Sequence, residues 1–137
     1  MKRIAIELGG ITVHARLYAD KAPKTVDLLW KALPLAGPLH HARWSGSAAY
    51  FAATALRVPS LAVENQVSFP YPGSLCLLPT EGEIVFAYAQ CQARTSAGNV
   101  WAAHFGELEG DTTAFFALLT ETQAKGVQPM SIRREEG

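Results

Sequence analysis

Charge is scarce and balanced in this sequence. Charged residues make up 18% of the 137 residues, and 12 Lys and Arg side chains balance 12 Asp and Glu side chains. A chain without net charge creates no broad field that would hold polyanions, which excludes general nucleic-acid binders and proteins of anionic membrane surfaces. No apolar run approaches the roughly 20 residues that cross a bilayer. We therefore expect neither nucleic acid nor a membrane among the partners.

Cysteine is scarce as well. Cys76 and Cys91 form no Cys-x-x-Cys motif and are too few for a disulfide scaffold. Cys76 lies in the apolar run Leu75–Leu78, which indicates a buried thiol. The amino terminus lacks the long apolar segment of a secretory signal, because Glu7 and a glycine pair interrupt it. These features predict a cytoplasmic protein with reduced thiols.

Apolar residues, in contrast, are plentiful at 49% of the chain. That fraction is too high for a disordered chain. At this length a folded chain buries roughly 70% of the surface that its unfolded form exposes, which suffices for one core. The sequence therefore predicts a single domain over residues 1–137, with a solvated, flexible tail at Arg133–Gly137.

The first part of the chain predicts a β-hairpin followed by a helix. Apolar and polar side chains alternate on both sides of Gly9-Gly10, a pair that tolerates the positive φ of a tight turn. Pro23 suits the first position of a helix. An apolar stripe with helical spacing follows, formed by Val26, Leu29, Trp30 and Leu33. We expect the helix to end at Pro34 and Gly37-Pro38.

The rest of the chain predicts short strands, a long loop and a second helix. The strands are expected at Leu39–Trp44, Ala48–Phe51, Ser74–Leu78, Glu83–Tyr88, Val100–Phe105 and Met130–Ile132. Ala52–Phe69 is an irregular stretch of the kind that often carries function. Asp111 is expected to cap the second helix and Gly126 to end it. Many short strands with two isolated helices predict a mainly β fold, a closed antiparallel β-barrel with two α-helices.

Several segments resemble cyclophilins. The run Asp20–Val26 is similar to the start of the first cyclophilin helix, and later segments follow in the same order, namely His104–Leu108, Glu109–Asp111 and Met130–Ile132. Three more segments are more similar to a bacterial family of small cyclophilin-like proteins without an assigned activity: His41–Gly46, Glu64–Gln66 and Tyr71–Gly73. The resemblance covers most of the chain, whose middle is shorter than in a typical cyclophilin, and it implies a cyclophilin-like barrel.

The resemblance also implies a role for one arginine. In cyclophilins an arginine on a strand stabilises the twisted imide while an X-Pro bond rotates, and Arg43 matches it by position, one strand after the first helix. The residue before it is Ala42, where the family has histidine. The family's Gln-Gly-Gly-Asp and Asn-Gly-Ser-Gln-Phe-Phe segments are absent, so the proline pocket is not carried over to this chain.

The surroundings of Arg43 allow two orientations. The two-residue period of a strand places His41 and Arg43 on one face and Trp44 on the other. If the first face points into the barrel, Arg43 offers a planar fork for a carboxylate or another oxyanion, and His41 exchanges a proton near neutral pH. If Trp44 fills the core instead, His41 and Arg43 stand in solvent. The sequence leaves both orientations open.

Other polar residues complete the candidate site. Glu64 and Asn65 lie in the irregular stretch, where they either orient a ligand or stand in water. His104 interrupts an apolar strand, which fits either a hydrogen-bonded structural histidine or an acid–base group in a pocket. Tyr50 and Tyr88 lie at strand ends, where they either add hydroxyl groups to the site or pack their rings in the core.

The sequence gives little support for a metal site or for a nucleophilic serine. His41, Glu64 and His104 provide two histidines and one carboxylate, but no His-x-His or His-Glu-x-x-His spacing accompanies them. Ser45 lacks the Gly-x-Ser-x-Gly elbow of hydrolases and fits a turn. We therefore predict no metal and no cofactor.

The sequence favours a protein with a pocket that binds or converts a small polar metabolite. An anionic metabolite suits Arg43. In this hypothesis the catalytic residues are His41, Arg43, Glu64 and His104. The ligand-binding residues are Arg43, Trp44, Asn65 and Tyr88. One alternative is a peptidyl-prolyl isomerase or peptide-binding module. Another is a non-catalytic assembly subunit, since low charge favours a homo-oligomer.

Overall fold

The computed structural model describes residues 1–135, which form eleven strands and two α-helices. The strands of the first half are β1 (Arg3–Leu8), β2 (Ile11–Leu17), β3 (Leu35–His41), β4 (Gly46–Ala52) and β5 (Gln66–Val67). Those of the second half are β6 (Ser74–Leu78), β7 (Glu83–Cys91), β8 (Arg94–Thr95), β9 (Gly98–Asn99), β10 (Ala102–Glu109) and β11 (Gln128–Arg134). The helices are α1 (Pro23–Ala32) and α2 (Thr113–Lys125). Neither helix is long and apolar enough to cross a membrane.

Eight strands close into an antiparallel barrel. Their order is β2-β1-β11-β3-β4-β7-β6-β10, and β10 pairs back with β2. The short strand β5 pairs with Ala102 and Ala103 of β10, on the same edge of β10 as β2. The pair β8–β9 forms a separate small hairpin. The prediction of a closed antiparallel barrel with two helices is therefore confirmed.

The first hairpin forms as its alternation predicts. Its two turn residues, Gly9 and Gly10, both adopt positive φ, at 54° and 79°, which a two-residue turn between twisted strands requires. The side chains of Ile4, Ile6 and Leu8 are buried in the main core. Between them Glu7 is exposed and Ala5 is a small buried residue, so the large apolar side chains of the hairpin line the barrel.

The two helices cover the barrel through their apolar faces. Helix α1 starts at Pro23 and buries Val26 and Leu29, whereas Trp30 is only half-buried. Helix α2 buries Phe115 and Leu119, and the ring of Phe115 meets Phe86 of β7 edge to face with centroids 6.0 Å apart. Both helices therefore anchor on the same core as the strands.

The beginning of α2 and its end agree with the predicted signals. The carboxylate of Asp111 accepts a hydrogen bond from the Thr113 backbone N–H at 3.0 Å. Gly126 follows the last turn with a φ of 84°, a conformation that glycine adopts without a steric penalty.

Some predicted strand limits were wrong. Strand β3 spans Leu35–His41 rather than Leu39–Trp44. Gly37-Pro38 does not end the helix but lies in the first part of β3, which pairs with β11. The last strand continues past Ile132 to Arg134, whose backbone pairs with Ile4, so Arg133 and Arg134 are not a tail. The remainder of the predicted tail, residues 136 and 137, lies outside the described residues. The irregular stretch 52–69 contains a short 3₁₀ turn and β5.

The strands carry a second, smaller core on their outer face. Along β7, Ile84 and Phe86 belong to the main core, whereas Val85 and Ala87 belong to this second cluster. Cys76 and Cys91 are free thiols inside it. Burial raises the pKa of Cys76 to about 12 and that of Cys91 to about 11, so neither thiol is an activated nucleophile.

Strand register aligns two histidines on this outer face. Residues directly opposite one another on neighbouring strands form a single row: His40, Tyr50, Val85, Cys76 and His104. Both ends of the row are polar and its middle is buried. The row therefore ends at one predicted catalytic residue, His104, whereas His41, Arg43 and Glu64 lie outside it.

Candidate functional site

The predicted catalytic residues do not share one cavity. His41 lies at the end of β3, where its Nε2 is 2.7 Å from the Tyr88 hydroxyl oxygen and its Nδ1 is 2.9 Å from the Ala42 carbonyl oxygen. A carbonyl only accepts hydrogen bonds, so Nδ1 carries the proton and Nε2 accepts the proton of Tyr88. The predicted ligand-binding residue Tyr88 is thus bound to His41.

Glu64 has a different set of partners. Its Oε1 accepts hydrogen bonds from the backbone N–H of Thr25 at 2.8 Å and from the Thr25 hydroxyl at 2.9 Å. Thr25 lies in the first turn of α1 and is buried. Glu64 therefore supplies an acceptor to a helix start and neither stands in water nor lines the cavity that contains Arg43.

Asn65 also serves the fold. Its Nδ2 donates to the His104 carbonyl oxygen at 2.9 Å, and its own carbonyl accepts from the His104 N–H at 3.3 Å. Asn65 adopts a positive φ of 46°, a conformation that asparagine tolerates better than most residues. The predicted ligand-binding residue Asn65 therefore continues the pairing along β10.

His104 lies among aromatic rings. The rings of Tyr18 and Tyr71 meet it nearly edge-on, with centroids at 5.1 and 5.4 Å. The Tyr71 hydroxyl is 3.5 Å from Nε2, and the side chain is only 8% exposed. Burial lowers the pKa of His104 below its ordinary value, and an interaction with the Gly106 backbone partly opposes this effect. His104 is therefore a neutral base at neutral pH.

A charged pair continues this cluster. Arg16 Nε donates to Glu107 Oε1 at 2.6 Å, and Tyr18 lies close to the Glu107 carboxylate. The interaction with Tyr18 is the main reason why the pKa of Glu107 is lowered, while burial raises the pKa of Tyr18 to about 12. The sequence analysis missed this set, because Arg16 and Glu107 are distant along the chain and meet only through the pairing of β2 with β10.

Arg43 and Trp44 lie in the turn between β3 and β4. The strand period does not extend to them, so the two orientations considered for them do not apply. Both line one small cavity of about 60 Å³, which we call the Arg43 cavity. Its wall residues are Ala42, Arg43, Trp44, Ser45, Tyr50, Glu83, Val85 and Arg94. Trp44 is 53% exposed and does not fill the core.

Hydrogen bonds fix the turn against the segment that carries Arg94. The Ser45 carbonyl accepts from the Gln92 N–H at 2.9 Å, and the Ser45 hydroxyl donates to the Arg94 carbonyl at 3.4 Å. Gly46 follows with a φ of 100°, and a Cβ there would lie 2.9 Å from the Gln90 carbonyl oxygen. The two arginines are thereby brought to the wall of one cavity.

A larger and more open groove of about 420 Å³ adjoins the Arg43 cavity. The two share Trp44, Ser45 and Arg94. The other residues of this Trp44 groove are Gly46, Ser47, Phe69, Gln90, Cys91 and Gln92. Its volume falls within the range of small-molecule sites.

Glu83 gives the Arg43 cavity an acid–base group. Burial, together with the nearby charge of Glu81, raises its pKa from 4.5 to about 7. The cavity wall therefore combines two arginines with a carboxyl group that exchanges its proton near neutral pH. Glu83 and Arg94 were not predicted from the sequence, because they fit the exposed end of a strand and a polar loop.

Another groove of about 580 Å³ lies beside the first hairpin, β3 and β11. It is open and largely apolar, and Glu7 is the ionisable residue on its wall. Within residues 1–135, no three His, Cys, Asp or Glu side chains cluster closely enough to hold a metal ion. The polar chemistry of the described surface is concentrated at the Arg43 cavity and around His104.

These features define a closed antiparallel barrel with two helices and a polar cavity on its outer face. The chain belongs to the family described as "Protein of unknown function (DUF3830)", whose model matches residues 4–133. No curated protein matches the sequence.

Two solved structures have a similar fold. One is McbB in complex with tryptophan, with a TM-score of 0.75 and 21% identity over 98% of this chain. This chain spans 45% of the McbB chain. The other is the solution structure of the hypothetical protein AF2241 from Archaeoglobus fulgidus, with a TM-score of 0.63 and 18% identity over 98% of this chain and 95% of that one. Both support the barrel, and the relation to cyclophilins stays a prediction.

Proposed function

We propose that this protein binds a small anionic metabolite in the Arg43 cavity. The observation that carries the proposal is that Arg43 and Arg94 line the same cavity, together with the hydroxyl-bearing residues Ser45 and Tyr50. Guanidinium groups present several donors in a planar fork that suits carboxylates and other oxyanions. Arg43 and Arg94 are the cationic residues of this wall and Glu83 is its one acidic residue, so the wall remains positive when Glu83 is ionised.

The fold is compatible with a small ligand. McbB, which has a similar barrel, was solved in complex with tryptophan, a molecule that carries a carboxylate. At 21% identity, and with this chain spanning 45% of McbB, the likeness supports small-molecule binding and transfers no residue or activity. We place the protein in a reducing, cytoplasmic compartment, which its two free thiols support.

The proposal keeps Arg43 and Trp44 from the site expected from the sequence. It assigns no catalytic role at this cavity to His41, Glu64 and His104, because their side chains are engaged with Tyr88, Thr25 and the rings around His104. The proposal for this cavity is therefore limited to binding.

Calorimetric titration with acetate, benzoate and phosphate tests the proposal. We expect at least one of these anions to bind, and Arg43→Gln and Arg94→Gln each to weaken it roughly tenfold or more, since a hydrogen bond to a charged group contributes about 1.5–3 kcal/mol. Arg133→Gln is the matched control, because Arg133 is an exposed arginine on β11 that pairs with Glu7. Absence of binding at millimolar anion would refute the proposal.

One observation favours a second candidate, a peptide-binding or prolyl isomerase module. Arg43 is exposed beside Trp44, and Phe69 lines the adjoining groove. An arginine beside aromatic rings is the arrangement that the resemblance to cyclophilins implies. Exchange spectroscopy on a proline-containing peptide distinguishes this candidate, which fails if micromolar protein does not accelerate cis–trans exchange. The assembly-subunit alternative remains a prediction that sizing at high concentration tests.

A further inference from the structure

We infer that the ligand is a planar carboxylate, whose acidic group enters the Arg43 cavity while its flat apolar body lies in the Trp44 groove. This inference rests on the proposed function and names the ligand class for the same site. It follows from the sizes of the two compartments, from the residues they share, and from the aromatic rings beside the larger one.

The size of the Arg43 cavity limits what can enter it. Its volume of about 60 Å³ is well below the roughly 150 Å³ of an apolar protein cavity that holds a benzene ring. A carboxylate fits that space, and an aromatic ring does not. Two arginines and one acidic residue, Glu83, line the cavity, so charge complementarity favours an anion over a cation or a neutral group of the same size.

The rest of such a ligand must leave the cavity through the residues that it shares with the groove. Trp44, Ser45 and Arg94 belong to both walls, so a molecule anchored at the arginines continues directly into a space of about 420 Å³. That space accommodates a mono- or bicyclic body.

The groove wall indicates a flat body. Trp44 is 53% exposed and Phe69 is 62% exposed, which is unusual for side chains of this size. Aromatic faces bind planar groups by offset or edge-to-face contact. The side-chain amides of Gln90 and Gln92 provide hydrogen bonds to ring substituents. An aliphatic ligand of equal volume gains the same burial but not the stacking.

Calorimetric titration with four probes tests the inference: acetate, cyclohexanecarboxylate, benzoate and 2-naphthoate. We expect 2-naphthoate to bind about tenfold or more tightly than acetate, and benzoate more tightly than cyclohexanecarboxylate, which has the same carbon count without planarity. Indole N–H resonances in a ¹H–¹⁵N spectrum should shift for Trp44 and not for Trp101.

Variants separate the two compartments. Phe69→Ala should lower the advantage of 2-naphthoate and leave the affinity for acetate unchanged, because Phe69 lines the groove and not the Arg43 cavity. Trp44→Ala should also lower this advantage, whereas Trp44→Phe should retain most of it. Trp101→Ala is the matched control, because Trp101 is 54% exposed and lines neither compartment. Thermal unfolding of each variant confirms that these surface changes leave the fold intact.

The outcomes distinguish this inference from the proposed function. If acetate and 2-naphthoate bind equally well, the inference is overturned and the anion site stands. If no anion binds, both are overturned. If a proline-containing peptide displaces 2-naphthoate and binds more tightly than it does, the groove is a peptide site and the inference is overturned.

Discussion

Glu64 and Thr25 are joined by two hydrogen bonds to a single carboxylate oxygen, at 2.8 Å from the backbone nitrogen and 2.9 Å from the hydroxyl. Ala22, which precedes α1, has no side-chain acceptor for the free N–H groups of the first turn. Glu64 supplies that acceptor from a position 39 residues further along the chain. Its negative charge also lies at the positive end of the helix dipole. The contact fixes the irregular stretch 52–69 to α1.

The first prediction concerns this contact. Glu64→Ala removes both acceptor interactions from the buried Thr25, so we expect a loss of about 1–3 kcal/mol in the free energy of unfolding, measured by urea denaturation. Glu64→Gln should lose less, because an amide oxygen still accepts. Glu121→Ala is the control, since Glu121 makes an exposed pair with Lys125 that contributes about 0.3–0.5 kcal/mol. Equal losses for Glu64→Ala and Glu121→Ala would refute the capping role.

The same contact illustrates what the sequence can and cannot predict. The period-two and period-3.6 patterns around Ile4 and Val26 are local, so the hairpin, the helices and the barrel class followed from neighbours a few residues apart. The partner of Glu64 depends on the path of an irregular stretch, for which no periodicity exists. The sequence therefore suggested a ligand site for the Glu64 carboxylate, whereas the structure shows it bound to Thr25 at the start of α1.

Turns account for the other differences. Arg43 and Trp44 were placed on opposite faces because the strand was extended to Trp44, whereas β3 ends at His41 and the turn brings both to one wall. Arg94 joins them through the hydrogen bonds of Ser45 with the segment that follows β7. Residue type made Arg43 a candidate anchor and left its orientation open, whereas the second arginine depends on tertiary contacts.

The second prediction concerns His41 and Tyr88. Tyr88→Phe leaves the half-buried Nε2 of His41 without its donor at 2.7 Å, so we expect a loss of about 0.5–1.5 kcal/mol in the free energy of unfolding. Long-range ¹H–¹⁵N spectra should report a proton on Nδ1 of His41 in the wild type. Tyr50→Phe is the control, because Tyr50 stacks on His40 through its ring, with centroids 5.3 Å apart. A proton on Nε2 of neutral His41 would contradict the assigned hydrogen bonds.

The third prediction concerns the pKa of His104. Because burial lowers it, NMR titration should give a value below about 6.5, the ordinary value of histidine. Tyr71→Ala exposes the imidazole and should raise the pKa toward that value, whereas Tyr71→Phe keeps the ring contact and should change it less. A pKa of His104 above 6.5 in the wild type would contradict the burial of a neutral ring.

The last prediction concerns Glu83, whose pKa rises from 4.5 to about 7 on folding. The folded state holds this proton more tightly than the unfolded state, so the resulting stability is complete below about pH 4.5 and is lost as the pH rises through about 7. Glu83→Gln removes this dependence. We therefore expect the wild type to lose stability relative to Glu83→Gln as the pH rises. Urea denaturation of both proteins across this pH range measures the difference in their free energies of unfolding. Glu81→Gln should lower the Glu83 pKa and shift the loss to lower pH, because the charge of Glu81 adds to the effect of burial. Parallel stability curves for the wild type and Glu83→Gln would mean that the carboxyl group titrates alike in both states.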